Sequence, residues 1–239
     1  QTMSNNNRHK GGMNSNQTTY HYNGGKPDRS EGEGITHVIV EDGVESVDDE
    51  AFDHWTDLIS VHIPSSVRRI GKRAFYKCKS LSTIILPDSL QQIGQYAFNG
   101  CERLSTIALP HSLIEKGQAA SNECKSLVKI SIPPSITSIQ QNTFGYCPSL
   151  SEIILPPSVI CIDDLAFQHC SSLKSIKLPN GIQIIAHYSF DECTSLESIQ
   201  IPPSTTNIDG CIFWNCSSLK VIYTPSIIDL PHHDDLDRF

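Results

Sequence analysis

Nine cysteines are the densest set of reactive side chains in this 239-residue chain. Seven of them recur every 23 residues: Cys78, Cys101, Cys124, Cys147, Cys170, Cys193 and Cys216. Such a column could form disulfides or bind a string of metal ions. However, no two cysteines have the C-x-x-C spacing of a zinc site, and stacked side chains run parallel, which holds Cβ atoms farther apart than a disulfide prefers. We therefore expect a ladder of buried, reduced core cysteines, with Cys161 and Cys211 the more exposed thiols.

A second cluster is basic and falls within one segment: Arg68, Arg69, Lys72, Arg73, Lys77 and Lys79. Alone, it would be typical of a phosphate- or nucleic-acid-binding patch. The segment 23 residues earlier is acidic, and one period of displacement predicts three pairs: Glu45 with Arg68, Asp49 with Lys72 and Glu50 with Arg73. Opposite charges on neighbouring strands stabilise a sheet. The sequence thus favours pairing between repeats, with anion binding as the alternative.

The remaining candidates for chemistry are sparse. His232, His233, Asp234 and Asp235 have metal-ligand types, but isolated ligands in a polar tail bind metals weakly, so we expect no metal site. No glycine-rich phosphate loop follows a strand, and no Ser, His and Asp come together, so we expect neither cofactor nor enzyme. A net charge of −8 gives no reason to expect a nucleic-acid partner. No stretch reaches the roughly 18 apolar residues of a membrane-spanning helix.

A strict 23-residue repeat must position all these residues. Leucine marks each repeat: Leu58, Leu81, Leu104, Leu127, Leu150, Leu173, Leu196 and Leu219. In the copy 151–173, Ile153 and Leu155 alternate as in a short strand, and Pro156 ends it because proline cannot donate to the ladder. Phe167, Cys170 and Leu173 then step by three, as in a tight helical turn. No single unit can bury its own apolar residues, so stacking of the units predicts one continuous core.

The ends of the chain differ in composition from the repeats. Residues 1–34 are rich in Asn, Gly and Ser and nearly lack aliphatic side chains, which predicts a disordered tail. A solenoid is expected over 35–225, with eight full repeats over 36–219 and a partial ninth. Residues 226–239 are predicted to be a polar tail or cap.

Two repeats depart from the pattern. In the copy 105–127, Lys116 replaces the expected Ile and Ser121 replaces Phe. This exchange predicts a thinner core and a weak joint at that position. The first repeat carries Trp55 in place of Cys, which suits a capping unit at the end of the stack.

The repeat also resembles a known family. The run Leu81-Ser-Thr-Ile-Ile-Leu-Pro87 resembles the leucine-rich-repeat core, and Ile93-Gly-Gln-Tyr-Ala-Phe-Asn-Gly-Cys-Glu-Arg-Leu104 resembles the BspA-like subfamily. The resemblance covers residue 36 to roughly 225. It implies a mainly β leucine-rich-repeat solenoid with a parallel concave sheet, and the predicted short helical or 3-10 turns would lie on the convex side. It also implies a surface adhesion or protein-interaction module, and the motif contains no catalytic residues.

Partner contacts are predicted at the outward strand positions: Ile39, His62, Ile85, Ala108, Ser131, Ile154, Lys177, Gln200 and Tyr223. Ile85 and Ile154 are apolar where water is expected, although strand propensity alone also favours isoleucine. We expect a monomeric, non-catalytic interaction or adhesion module that binds a protein or cell-surface macromolecule through the concave face. The alternative is a passive structural spacer within a larger surface protein. The compartment stays open, since unpaired thiols favour the cytoplasm and the resemblance favours the cell surface.

Overall fold

Each full 23-residue repeat except 105–127 contributes two short parallel strands in the computed structural model, which describes residues 18–224. The first strand series is β1 (Thr19–Tyr22), β2 (His37–Val40), β4 (Ser60–His62), β6 (Thr83–Ile84), β9 (Lys129–Ser131), β11 (Glu152–Ile154), β13 (Ser175–Ile176), β15 (Ser198–Gln200) and β17 (Val221–Tyr223). The second series is β3 (Ser46–Val47), β5 (Arg69–Ile70), β7 (Gln92–Ile93), β8 (Glu115–Lys116), β10 (Ser138–Ile139), β12 (Cys161–Ile162), β14 (Ile184–Ile185) and β16 (Asn207–Ile208). Together they form a parallel β-solenoid of about 8 turns, which confirms the predicted fold class.

The register follows the sequence period. Within the repeats, paired residues lie 23 positions apart, as Ser60 with Thr83 and Ile176 with Ile199. Side chains alternate between solvent and interior along each strand of the first series, because successive Cβ atoms point to opposite faces. Because the period is strict, equivalent side chains of successive repeats stack on one another.

Phenylalanine and cysteine columns fill the interior. Phenylalanine rings of successive repeats stack in five pairs, with centroid-to-centroid distances between 5.3 and 5.8 Å. Each column cysteine donates its thiol hydrogen to a backbone carbonyl 26 residues earlier, as Cys78 does to Phe52 at 3.1 Å and Cys170 to Phe144 at 3.2 Å. The tight turns also form, since the Cys170 and Leu173 amides each donate to the carbonyl three residues back.

Left-handed residues interrupt those turns twice in every repeat, so no continuous helix forms there. Sixteen turn positions have a positive φ, and Gly100 is the one glycine among them: Glu50, His54, Arg73, Lys77, Tyr96, Gly100, Ala119, Glu123, Asn142, Tyr146, Leu165, His169, Tyr188, Glu192, Cys211 and Asn215. Left-handed backbone costs a residue with a Cβ on the order of 1 kcal/mol. The packed columns on either side hold the turns in this conformation.

An N-terminal cap covers the first repeat. Strand β1 pairs with β2, and a short 3-10 helix follows at Arg29–Gly32. The Tyr20 ring meets Trp55 edge-on at 5.1 Å, and Gly32 lies so close to the indole that a Cβ there would come within 2.5 Å of it. The expectation of a disordered tail is therefore wrong for residues 18–34, where aromatic rather than aliphatic side chains supply the buried surface. Residues 1–17 and 225–239, with the predicted C-terminal tail, lie outside the described residues.

Both strand series are interrupted at the repeat 105–127. In the first series, β6 is not paired with the next rung, which retains one isolated bridge, Thr106 to Lys129. In the second series, β8 is not paired with β10. The first series is also interrupted between β11 and β13, where the repeat pattern is kept. Both ladders thus break where Lys116 and Ser121 depart from the repeat, and the weakness of this joint stays a prediction.

Candidate binding surface

The outward positions of the first series lie along one side of the solenoid, which we call the strand face. It comprises the nine predicted contact residues: Ile39, His62, Ile85, Ala108, Ser131, Ile154, Lys177, Gln200 and Tyr223. Eight are exposed and Ile39 is half-buried. Ile85 is the most exposed large apolar residue of the described chain at 82%, and Tyr223 and Ile154 follow on this face at 60% and 48%. The inward and outward assignment made from the sequence is therefore right.

A groove opens in the strand face where the first series is interrupted. It has a volume of about 610 Å³ and lies between β6, the Thr106 segment and β9. Ile85, Ala108 and Ser131 contribute its outward side chains, with Leu109 and Pro133 at one end. Sequence reasoning placed these residues in a row and marked the repeat 105–127 as irregular, but it missed the groove, since nothing in the pattern indicated that the strand face would open there.

The groove is apolar within and polar at its rim. Thr106, His111, Lys129 and Ser131 supply the polar groups, and no carboxylate lines it among the described residues. Lys129 is held at the rim by an ion pair with Glu152, at 2.6 Å, in which both side chains are about half exposed. An exposed pair of this kind is worth less than about 1 kcal/mol, so Lys129 can exchange its partner when another anion approaches.

Lys116 is buried in the rung that carries Ala108. Its ammonium lies over the Phe144 ring, 4.5 Å from the centroid, and has no hydrogen-bond acceptor. Burial therefore lowers the pKa of Lys116 from 10.5 to about 7. The buried hydroxyls of Ser121 and Thr143 also lack hydrogen-bond partners.

The three charge pairs predicted for the basic segment do not form. Asp49 instead accepts hydrogen bonds from the Arg69 guanidinium at 2.6 Å and from the Lys72 backbone amide at 2.8 Å, which lowers the pKa of its carboxyl. Glu50 pairs with Lys26 of the cap. No ion pair of Glu45 is present in the described range. The prediction assumed partners one period apart, whereas Asp49 reaches Arg69 at an offset of 20 residues and Glu50 pairs with a lysine of the cap.

The seven column cysteines are free and buried, and Cys161 and Cys211 are half-buried, as expected. Burial raises the thiol pKa throughout the column, to about 12 for Cys147 and Cys216. No group of three or more metal-ligating side chains occurs within residues 18–224, and the His232–Asp235 segment lies outside them. In the same range, no helix is long and apolar enough to cross a membrane.

Sequence comparison identifies the family. The profile of the BspA-type leucine-rich-repeat region matches residues 31–151 and 137–231, with six copies. The two matches span most of the chain, which belongs to this family. Members of the family are non-enzymatic scaffolds that act as protein-interaction or structural modules. A comparison with curated proteins found no significant match.

Solved structures show the same architecture. A leucine-rich-repeat protein from Bacteroides ovatus is 26% identical with a TM-score of 0.60, over 80% of this chain and 64% of that one. One from T. pallidum is 31% identical with a TM-score of 0.54, over 77% and 78%. A third, from Eubacterium ventriosum, shares the fold with a TM-score of 0.59 at 21% identity, over 83% and 62%. The chain thus spans less than two thirds of the first and third proteins.

Proposed function

We propose that this chain is a protein-interaction module whose partner docks on the strand face and inserts an apolar side chain into the groove. The observation that carries the proposal is the groove itself, bordered by Ile85, which is 82% exposed. Burial of this exposed aliphatic side chain against a partner would stabilise the complex by roughly 25 cal/mol per Å² of apolar surface. On the basis of the family resemblance, we also propose that the module lies at the cell surface and acts in adhesion.

The layout of the strand face supports a macromolecular partner. Apolar and small side chains, Ile85, Ala108 and Ile154, occupy the middle, and polar residues, His62 and Lys177, flank them on the outer rungs. An apolar centre with a polar rim is the usual composition of a protein interface. Because parallel strands repeat about every 4.8 Å, a partner that spans the six rungs from His62 to Lys177 would cover all of these residues.

The test is a paired substitution on the strand face, Ile85→Asp with Ile154→Asp. The wild-type chain is used to capture binding proteins, and each captured protein is then titrated against wild type and variant. Both side chains point to water, so the free energy of unfolding should change little. The affinity for a captured protein should fall at least about tenfold, or 1.4 kcal/mol. Ala108→Trp, which fills the groove without adding charge, should weaken binding similarly.

Ile114→Asp with Ile160→Asp is the matched control. These isoleucines are 60% and 43% exposed but precede strands of the second series. The control adds the same two charges and should retain wild-type affinity. If the strand-face variant binds every captured protein as tightly as the control does, the groove is not the docking site. If the wild-type chain captures no protein, the passive spacer function is favoured instead.

A further inference from the structure

Two cations share one aromatic ring on the turns that follow the second strand series. The Arg73 guanidinium carbon lies 5.0 Å from the centroid of Tyr76 and 5.7 Å from that of Tyr96. The Lys77 ammonium lies 5.2 Å from the Tyr76 centroid. All four side chains are half-buried. We call these four residues the cation–aromatic cluster.

No carboxylate neutralises the cluster. Arg73 and Lys77 form no ion pair with any residue of the described chain. The two acidic residues one rung away are already engaged, because Glu50 pairs with Lys26 and the buried Asp53 pairs with Arg29. The other neighbouring rung presents neutral side chains here, including Asn99. The cap thus leaves two positive charges unpaired in a chain whose net charge is −8.

The Arg73 guanidinium is also held in place before any ligand arrives. Packing against the Tyr76 and Tyr96 rings fixes the Arg73 guanidinium, and its buried Nε–H group has no acceptor. Gly100 leaves room for the Lys77 stem, since a Cβ at Gly100 would come within 3.0 Å of Lys77 Cγ.

We propose that the cation–aromatic cluster is a binding site for a phosphate monoester group. Arginine presents a planar fork of donors suited to phosphate oxygens, and the flexible lysine stem can turn its ammonium towards the same anion. A phosphate monoester carries about −1.5 to −2 charge at pH 7 and three acceptor oxygens, which matches two cations better than a carboxylate with one charge. The site is separate from the strand face, so its partner need not be the strand-face partner.

The test uses the full chain and inorganic phosphate as the probe, at constant ionic strength. Amide chemical shifts of residues 72–77 and 96–100 should move saturably with phosphate, and acetate should move them much less. Arg73→Gln and Lys77→Gln should each weaken phosphate binding about tenfold. Lys79→Gln is the matched control, because Lys79 lies in the same repeat but pairs with Glu102 at 3.3 Å, and it should bind as wild type.

A second pair of variants tests the part assigned to the cap. Lys26→Gln releases Glu50, which can then pair with Arg73 and should weaken phosphate binding about threefold. Adding Glu50→Gln to that variant should restore the wild-type affinity. O-phosphoserine should bind at least as well as inorganic phosphate, since the site is proposed for a monoester.

Two results would overturn the proposal. One is an absence of saturable shifts at residues 72–77 and 96–100 in the folded wild-type chain. The other is equal weakening by Lys79→Gln and Arg73→Gln, which would show that phosphate responds to net charge alone. Arg73→Lys keeps the charge and removes the fork, so it provides a folded variant if Arg73→Gln unfolds, and it should also bind more weakly than wild type.

Discussion

Lys116 occupies the space that Ser121 leaves in the phenylalanine column. Neighbouring repeats place Phe98 and Phe144 at this position, and the rings stack continuously on either side of the gap. The lysine takes the place of the isoleucine that the other repeats carry, and its ammonium lies 4.5 Å from the Phe144 centroid. The two departures from the repeat therefore compensate each other within one rung, so neither can be understood alone.

This compensation predicts that the effect of Ser121→Phe changes sign with the residue at 116. In the wild-type background the new ring competes with the Lys116 side chain, and overpacking of this kind costs about 1–3 kcal/mol. In a Lys116→Ile background the same substitution completes the column and should raise the free energy of unfolding. Urea unfolding of the four proteins measures both effects. Equal effects in the two backgrounds, within about 0.5 kcal/mol, would contradict the pairing.

The low pKa of Lys116 predicts a pH-dependent stability. The unfolded chain keeps this proton up to about pH 10.5, whereas the folded chain loses it near pH 7. Between these values the unfolded state binds more protons, so the contribution of Lys116 to stability rises with pH. Below pH 7 both states are protonated, and the folded chain bears the full cost of a buried ammonium.

The measurement is the unfolding free energy of wild type and Lys116→Met between pH 6.5 and 8.5. Unfolded thiols are about half ionised at pH 8.5, but both proteins have the same cysteines, so this effect cancels in the difference between them. The difference between the two proteins should shrink by about 2 kcal/mol across it, since each pH unit above the folded pKa contributes up to about 1.4 kcal/mol. A difference that stays constant with pH would show that Lys116 does not lose its proton in the folded chain.

Adjacent alanines provide a test of the left-handed turns. Ala119 is left-handed, with a φ of 51°, whereas its neighbour Ala120 does not have a positive φ. Ala119→Gly relieves left-handed strain of about 1–2 kcal/mol and loses about 0.5–1 kcal/mol through the more flexible unfolded chain. Ala120→Gly also loses stability through the more flexible unfolded chain, but it relieves no left-handed strain. Ala119→Gly should therefore be at least about 1 kcal/mol more stable than Ala120→Gly in thermal or urea unfolding, and the reverse order would contradict the assignment.

Thiol labelling should separate the cysteines into two classes. Cys161 and Cys211 are half-buried and should react in the native chain, while the seven column cysteines should react only after unfolding. Cys161 should react slowly, because burial and its hydrogen bond to Asp163, at 2.8 Å, raise its pKa to about 12. Asp163→Asn removes that carboxylate and should speed labelling of Cys161. Native labelling of Cys170 or Cys193 at a comparable rate would contradict the buried column.

The sequence by itself determined the solenoid, its register and the direction of its side chains. A strict period forces residues such as Ile153 and Ile130 into one column, so their pairing needs no information beyond the spacing. It also marked the repeat 105–127 as irregular, because Lys116 and Ser121 break the pattern in the same repeat. The residues of the strand face could be named for the same reason, and their role in binding stays a prediction.

The tertiary structure decided what lies outside the period. The cap joins the first rung through Tyr20, which lies outside the repeats, and Trp55, which replaces the column cysteine. It also pairs Lys26 with Glu50, so that Arg73 is left without a carboxylate. The groove beside Ile85 exists because two backbone ladders fail to meet. The stem of Lys116 fills the space beside Phe144 because Ser121 leaves it open. Each of these depends on contacts between segments of unlike sequence, and only three-dimensional packing brings such segments together.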